Sequence, residues 1–241
     1  MADWDIANYY KNISTLIKRI KYFDMPIETT ALSEVENILY SKLMSNAVSK
    51  FEINAKNITV NLNQKISGTT PDTVCDFVIS FDHELSIDDT RNKNLNDLID
   101  VFLFDIQITG YDHNAEGYHY AWHLDKNIPS STAKYTHPYY HFQGGGARIE
   151  GRVTGEILLV DFPRIPHPPM DLILGIHFII NNFISSKNYP KKIELLEDDQ
   201  YQNVIMDSQS LIWDTYFNSY SHACTNSDFN FKNVFPLYIH P

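Results

Sequence analysis

The spacing of apolar residues changes several times along this chain of 241 residues. Across residues 4–22, and again across 33–49, apolar residues recur every three or four positions, which is typical of helices with one buried face. Across residues 51–109 apolar residues repeatedly alternate with polar ones, which is typical of strands that bury one side. Residues 170–184 contain very few polar positions, and this pattern predicts a buried helix packed on the sheet.

The order of these segments predicts an α+β fold, with N-terminal helices, an antiparallel β-meander and C-terminal buried helices packed on the sheet. We expect a single domain over residues 1–241. Its parts would be a helical segment at 1–50, the sheet at 51–162 and a second helical segment at 163–241. A capping-box pattern from Ser33 to Glu36 predicts where the second helix begins. A last helix is predicted at about residues 208–221.

Two short segments with alternating polarity contain four of the ten histidines. Side chains of a strand point to alternate faces, so the polar residues of each segment share one face. If the two segments pair as a hairpin, these polar residues meet on one side of one sheet. The residues expected to form a catalytic group there are His119, His123, Asp125, His137 and His141.

Imidazoles on one surface predict a metal site, because neutral histidine is a good ligand for zinc and related divalent ions. His119, His123, His137 and His141 are the candidate ligands, and Asp125 would bind the ion or orient an imidazole. Residues four apart on a straight strand lie roughly 13 Å apart, so His119 and His123 cannot both bind one ion. The cross-strand pairs His119–His141 and His123–His137 are geometrically better. The alternative is a polar sheet face of hydrogen-bonded histidines.

Residues that could bind an anionic substrate flank the histidine segments. Arg148 follows a run of three glycines, whose backbone amides can approach an anion or simply form a turn. A proline-rich stretch would present Arg164 and His167 rigidly on an extended ribbon. We therefore expect Arg148, Arg164 and His167 to bind substrate, and we expect His177, inside the apolar helix, to be a hydrogen-bonded core residue.

Composition limits the classes of partner. The formal net charge of −11 argues against broad binding to a nucleic-acid backbone, although a small local basic site remains compatible with it. Only two cysteines, Cys75 and Cys224, are present, which fits a reducing compartment. The first residues are acidic and do not resemble a signal peptide. The longest apolar run, at 172–184, is too short and too polar to span a bilayer. We expect a soluble cytoplasmic protein that is not bound to a membrane.

A few short motifs resemble a known family. His137-Pro138 resembles the His-Pro-Asn opening of the ubiquitin-conjugating enzymes. The stretch from Gly155 to Leu159 resembles their Gly-x-Ile-Cys-Leu active-site strip, and residues 166–183 resemble the proline-led helix behind it. Over about residues 50–184 the chain resembles the core of these enzymes and of their catalytically inactive, RWD-like relatives.

The departures from the family pattern change what this resemblance implies. Tyr139 stands in place of the asparagine, and Leu158 stands where the nucleophilic cysteine belongs. The His-Pro step also lies too far upstream of the strip. The resemblance therefore implies a scaffold that binds a protein partner without thioester transfer.

Two functional hypotheses follow from the sequence. The first is a hydrolase acting on a phosphoester, in which the histidine cluster binds a divalent metal such as zinc or acts directly as general acid and base. The second is a non-catalytic protein-interaction module that resembles an inactive ubiquitin-conjugating enzyme. Metal content would distinguish them.

Overall fold

The computed structural model describes residues 4–45, 51–64, 66, 72–88, 97–113, 117–126, 138–145, 165–214 and 216–217. Within these residues it has an α+β fold, as the sequence predicts, with helices before and after an antiparallel sheet. The helices are α1 Ile6–Tyr22, α2 Thr30–Met44, α3 Leu172–Phe183, α4 Lys191–Glu197 and α5 Asp199–Gln209. The strands are β1 Phe51–Leu62, β2 Asp76–Ile87, β3 Ile99–Tyr111, β4 Gly117–Lys126, β5 Tyr140–Gly144 and β6 Ile165–Pro166.

The six strands lie in the sheet in the same order as in the sequence, and each pairs antiparallel with the next. The sheet is therefore a meander. The register of β3 and β4 pairs the last apolar-alternating segment of the 51–109 stretch with the first histidine segment, and it runs from Leu103 opposite Asp125 to Tyr111 opposite Gly117. This register has no break along β4.

A bulge in β1 explains why its apolar alternation changes phase. The register with β2 shifts between Ala55 and Ile58, and Asn57 has a φ of 53°. Asparagine tolerates this left-handed conformation better than most residues. The backbone amide of Asn57 donates to Oδ1 of Asp82 at 2.8 Å, which holds the bulge against the neighbouring strand. Both halves of β1 thereby bury their apolar residues on the same face.

Helix α1 buries its predicted apolar stripe, whereas α2 leaves Ile38 of its stripe 49% exposed and begins earlier than its capping box indicates. In α1, Asp5 caps the first turn by accepting from the amide of Ala7 at 2.9 Å. In α2, the amide of Ser33 donates to the carbonyl of Thr29 at 2.9 Å, so Ser33 already lies inside the helix. The predicted start at Ser33 is therefore wrong, because tertiary packing of Leu32 and Val35 extends the helix beyond its local signal.

The C-terminal helix prediction also began too late in the sequence. Helix α5 starts at Asp199, where Asp198 accepts from the amide of Tyr201 at 2.9 Å, and a π-helical turn, Ser210–Asp214, follows it. The short helix α4 precedes it and has no clear apolar stripe in the sequence. Residues beyond 217 in the predicted helix lie outside the described part of the chain.

Helix α3 packs on the apolar face of the sheet, as its composition predicts. Asp171 caps it by accepting from the amide of Leu174 at 2.9 Å. A Cβ atom on Gly175 would lie 2.9 Å from Cε2 of Phe104, so glycine is what lets the helix approach β3 this closely. Although α3 is very apolar, none of the described helices has the length and hydrophobicity needed to cross a membrane.

Replacing Leu174 or Ile180 with alanine should cost about 2–5 kcal/mol of unfolding free energy, because both side chains are buried in the core and each replacement leaves a cavity. Urea unfolding measures this. Met206→Ala is the matched control, since Met206 is 52% exposed on another helix and its replacement should cost less than about 0.5 kcal/mol. A loss as small as the control's at both core positions would contradict the packing of α3.

His83 is the one imidazole described on the apolar face of the sheet that is fully buried. Its Nε2 atom donates to the carbonyl of Met170 at 2.9 Å, and its ring contacts Phe102 and Phe104. Burial is the main cause that lowers the pKa of His83 from 6.5 to about 4. The hydrogen bond ties the segment before α3 to the middle of β2.

The pKa of His83 makes stability depend on pH. Between pH 6.5 and 4 the unfolded chain binds a proton at this residue and the folded protein does not, so the free energy of unfolding should fall as pH falls through this window. The whole effect is roughly 3 kcal/mol. Urea unfolding at several pH values should show that His83→Gln lacks this component and that His113→Gln, at an exposed histidine, retains it. Equal pH dependence in the parent and His83→Gln would contradict the burial.

Candidate metal centre

The register of β4 and β5 brings the histidine segments together on the outer face of the sheet, opposite α3. His123 lies opposite Gln143, and Asp125 lies opposite His141. The alternation predicted for β4 is confirmed, since Leu124 is fully buried on the inner face with Trp122 packed against the core. The two histidine segments were expected to pair as a hairpin, and this is confirmed, because β4 and β5 are adjacent antiparallel strands.

Two imidazoles converge on one carboxylate. Nε2 of His141 lies 3.1 Å from Oδ1 of Asp125, and Nε2 of His123 lies 3.7 Å from Oδ2 of Asp125. One ligand atom from each residue lies within 4.8 Å of the others. Ligands bound at about 2.0–2.1 Å in a tetrahedral site are separated by about 3.3 Å, and the two distances, which end on different oxygens of Asp125, lie on either side of that value. The group could hold a metal ion.

The three side chains differ in exposure. The side chain of His141 is 1% exposed, that of His123 is 16% exposed and that of Asp125 is 34% exposed. The most deeply buried of the three groups is therefore an imidazole, and the carboxylate faces the more open side. A ligand or a water molecule would reach the group from the side of Asp125.

A buried ionic cluster fixes the register at this point. Lys126 and Tyr140 lie opposite each other, next in sequence to Asp125 and His141. The phenol of Tyr140 donates to Oδ2 of Asp97 at 2.5 Å, and Nζ of Lys126 lies 2.9 Å from the same oxygen. Burial and the charge of Asp97 raise the pKa of Tyr140, so its hydroxyl remains a donor. One carboxylate thus joins the segment before β3 to both strands of the site.

Asp105 is a residue near the group that the sequence interpretation left out of the site. It lies directly opposite His123 in the register of β3 and β4, on the outer face. Directly opposed residues have Cβ atoms about 4.5–5.5 Å apart, so the side chains of Asp105 and His123 leave the sheet next to each other. The signal was present in the alternation of residues 101–109, which places Asp105 on one face, but its partner follows only from the register.

His119 lies apart from the group. Its Nδ1 atom is 3.1 Å from Oγ1 of Thr109, its direct partner on β3. His141 pairs six residues further along β4, so the expected pairing of His119 with His141 is wrong. The reasoning that His119 and His123 cannot share one ion agrees with the unbroken register of β4.

The remaining predicted site residues do not add to the group. His137, Arg148 and Arg164 lie outside the described residues, and so does the proposed pairing of His123 with His137. His167 lies on the inner face of the sheet, where its ring contacts Phe142 with 5.1 Å between centroids. His123 and His141 face the other side of the sheet, so His167 is not part of their group, and its substrate-binding role stays a prediction.

At one position of the glycine run the backbone conformation requires glycine. Gly144 ends β5, and Gly145 has a φ of 98°, a conformation that side chains disfavour. The amide of Gly145 donates to the carbonyl of Ala121 at 2.8 Å, so this amide closes the strand pair. An anion-binding role is not supported at Gly145, and the following residues are not described.

His177 is a hydrogen-bonded helix residue, as expected. Its Nδ1 atom lies 2.9 Å from the hydroxyl of Tyr201, and its Nε2 atom lies 3.0 Å from the amide nitrogen of Asn181. Burial, with a smaller contribution from Lys192, lowers the pKa of His177. Both ring nitrogens are therefore used within the fold.

No protein-family model matches this chain, and comparisons with curated proteins and with solved structures found no significant match. The resemblance to ubiquitin-conjugating enzymes stays a prediction, and its strip at Gly155 to Leu159 lies outside the described residues. Functional inference therefore depends on the side chains of the site itself.

Removing the charge of Asp97 should weaken the fold and the site together. Asp97→Asn leaves Lys126 without its buried counter-charge, and breaking a buried pair costs about 3–5 kcal/mol. The matched control is Glu84→Gln, which breaks the exposed pair with Lys56 and should cost less than about 1 kcal/mol. Chemical unfolding measures the free energy of unfolding of both variants. Equal losses would contradict the proposal that Asp97 holds β4 and β5 in register.

Proposed function

We propose that His123, Asp125 and His141 bind one divalent metal ion, most simply zinc, and that the protein is a metal-dependent hydrolase. The observation that supports this most directly is the convergence of two imidazole nitrogens on one carboxylate, at 3.1 and 3.7 Å. Two histidines and a carboxylate are a common donor set in hydrolytic zinc sites, which leave one position open for water. The same donor set also binds ferrous iron, so the identity of the ion is part of the test.

The chemistry of such a centre suits an anionic substrate. Two neutral imidazoles and one carboxylate leave a divalent ion with a net charge of about +1. A metal of this kind lowers the pKa of bound water towards 7 and stabilises negative charge that develops on a carbonyl or phosphoryl oxygen. A phosphoester is the substrate class that we propose. Arg148 and Arg164 would hold its charge, as the sequence predicts.

Asp105 extends the proposed centre. Histidine ligands usually donate their second ring N–H to a carboxylate or carbonyl, which fixes the ring orientation. Asp105 occupies the strand position opposite His123 from which a carboxylate can orient that ring. It therefore has a positioning role in the proposal, and His123 contacts the metal.

The same residues support a version of the proposal without an ion. Histidine can act as general acid or base near neutral pH, and Asp125 lies between two imidazoles whose orientation it can fix. This version predicts hydrolysis that resists a chelator. The metal version is preferred because one potential ligand atom from each of the three residues lies within 4.8 Å of the other two.

The second candidate function is a protein-interaction module. It is favoured by large apolar side chains that α2 leaves exposed, since Ile38 and Tyr40 are each 49% exposed and Met44 is 64% exposed. The resemblance to inactive conjugating enzymes implies the same role. A protein partner and a cytoplasmic location stay predictions.

Protein purified without a histidine tag should contain close to one equivalent of a divalent metal per chain, with zinc the leading expectation. Elemental analysis by mass spectrometry measures zinc, iron and manganese together. His123→Ala and Asp125→Asn should each lower the metal affinity by at least about 100-fold, because each removes a direct ligand and even outer partners cost 10–100-fold.

The matched control is His119→Ala, which removes an imidazole from the same face of the same strand but outside the group. It should keep the metal content of the parent. For His141, the conservative change His141→Gln is preferable, because its side chain is buried and truncation would leave a cavity. Circular dichroism should show that all variants remain folded.

The double variant of His123→Ala and Asp125→Asn tests whether the residues act as one site. Members of one ligand set lose their function together, so the double variant should be little worse than either single one. Hydrolysis of bis(4-nitrophenyl) phosphate should be lost on chelation and restored by zinc. Metal-free parent protein, or equal metal content in His123→Ala and His119→Ala, would refute the metal centre.

A further inference from the structure

An apolar pocket lies on the inner face of β4 and β5, at the edge of the sheet beside α3. Its volume is about 370 Å³, which falls within the range of small-molecule sites. The described residues that line it are Tyr120, Trp122, Phe142, Gln143, Gly144, Ile165, His167 and Phe178. None of these carries a formal charge when His167 is neutral, so a charged ligand would lose its hydration there without a counter-charge.

The aromatic walls are already packed against one another. Phe142 and Phe178 are stacked with centroids 5.4 Å apart, and Trp122 meets Phe142 edge to face at 6.3 Å. Tyr120 meets Trp122 edge to face at 5.6 Å. Rings held by their neighbours lose little freedom on binding, and they favour a flat aromatic ligand that can stack or meet them edge to face.

His167 supplies a directional polar group. Its Nδ1 atom lies 2.6 Å from the carbonyl oxygen of Pro168. A carbonyl only accepts, so Nδ1 carries the proton and Nε2 has the lone pair in the neutral ring. Burial lowers the pKa of His167, which favours this neutral form. The pocket therefore combines apolar walls with a ring-nitrogen acceptor at His167 whose tautomer is fixed, and Tyr120 and Gln143 supply further polar groups to the lining.

We propose that this pocket binds a neutral aromatic small molecule that donates one hydrogen bond to Nε2 of His167. The site is separate from the proposed metal centre, because Trp122 and Phe142 point to the face opposite their neighbours His123 and His141. The inference rests on different side chains and does not require a bound metal.

Indole and 1-methylindole are matched probes, since methylation removes the N–H donor and leaves the ring system in place. Ligand-observed NMR titration of the full chain should show saturable binding of indole at one site. We expect 1-methylindole to bind about three- to tenfold more weakly, the usual effect of losing one hydrogen bond. Chelator-treated protein should bind indole equally well, which separates this result from the fate of the metal centre.

Two variants locate the binding. Ile165→Trp should abolish indole binding by filling the mouth of the pocket, and it should fold because Ile165 is 59% exposed. Its matched control is Ile193→Trp, at a residue that is 46% exposed on α4, which should bind like the parent. His167→Phe keeps a ring in place but removes the acceptor, so it should bind indole and 1-methylindole with equal affinity.

The outcomes that overturn the proposal are specific. Absence of saturable indole binding to the folded parent would show that the pocket is filled by the chain itself or serves another kind of partner. Indole binding that survives Ile165→Trp would place the ligand elsewhere. An indole preference that persists in His167→Phe would show that Nε2 of His167 is not the acceptor.

Discussion

The buried carboxylate of Asp97 is the interaction on which the geometry of the site depends. It accepts a hydrogen bond from the phenol of Tyr140 and forms an ion pair with the ammonium of Lys126, and these two residues are directly opposed on β5 and β4. A buried charge must keep its partners, because stranding it costs more than the pair itself contributes. The strands cannot slide past each other without breaking this cluster. Asp125 and His141 are the next opposed pair along the same two strands, so the cluster at Asp97 also fixes which of these residues lie opposite each other.

Burial of the inner face supplies the second constraint. A slip of one residue would turn every side chain of a strand to the opposite face, and Trp122 and Phe142 would then leave the packing against α3. The close approach of Gly175 to Phe104 fixes the helix against the neighbouring strand. The same period of two that buries the aromatic rings on the inner face therefore places His123, Asp125 and His141 together on the outer face. The position of the polar group is a consequence of core packing.

The sequence was sufficient for the faces of the strands and insufficient for their register. Alternation over residues 118–125 correctly separated His123 and Asp125 from Trp122 and Leu124, because side-chain direction is a local property. Register between β4 and β5 is not local. The strands are separated by residues 127–139, a connection too long for turn geometry to fix which residues meet. His141, the expected partner of His119, therefore lies opposite Asp125, which is six residues further along β4.

Buried polar side chains that bond to residues remote in the sequence were the features of the fold that the sequence predicted least well. Asp97 ends a polar stretch that reads as a loop, yet it is 3% exposed and joins three segments. His83 was an isolated histidine on an apolar strand, and nothing local indicated its bond to the carbonyl of Met170. Both require knowledge of which segment covers them. The structural role of a buried polar side chain depends on its hydrogen-bond partner, and that partner is known only once the fold is known.

The structure also explains why some histidines of the segment join the group and another does not. Two residues separated by one position on a strand share a face at about 7 Å, and a residue opposite one of them lies about 5 Å across. His123, Asp125 and His141 form this small triangle. His119 lies two further steps along the strand, beyond the reach of any side chain in it. On a rigid sheet the density of histidines in the sequence therefore matters less than the combination of a spacing of two with one cross-strand partner. This combination is what brings His123, Asp125 and His141 close enough that they could hold an ion.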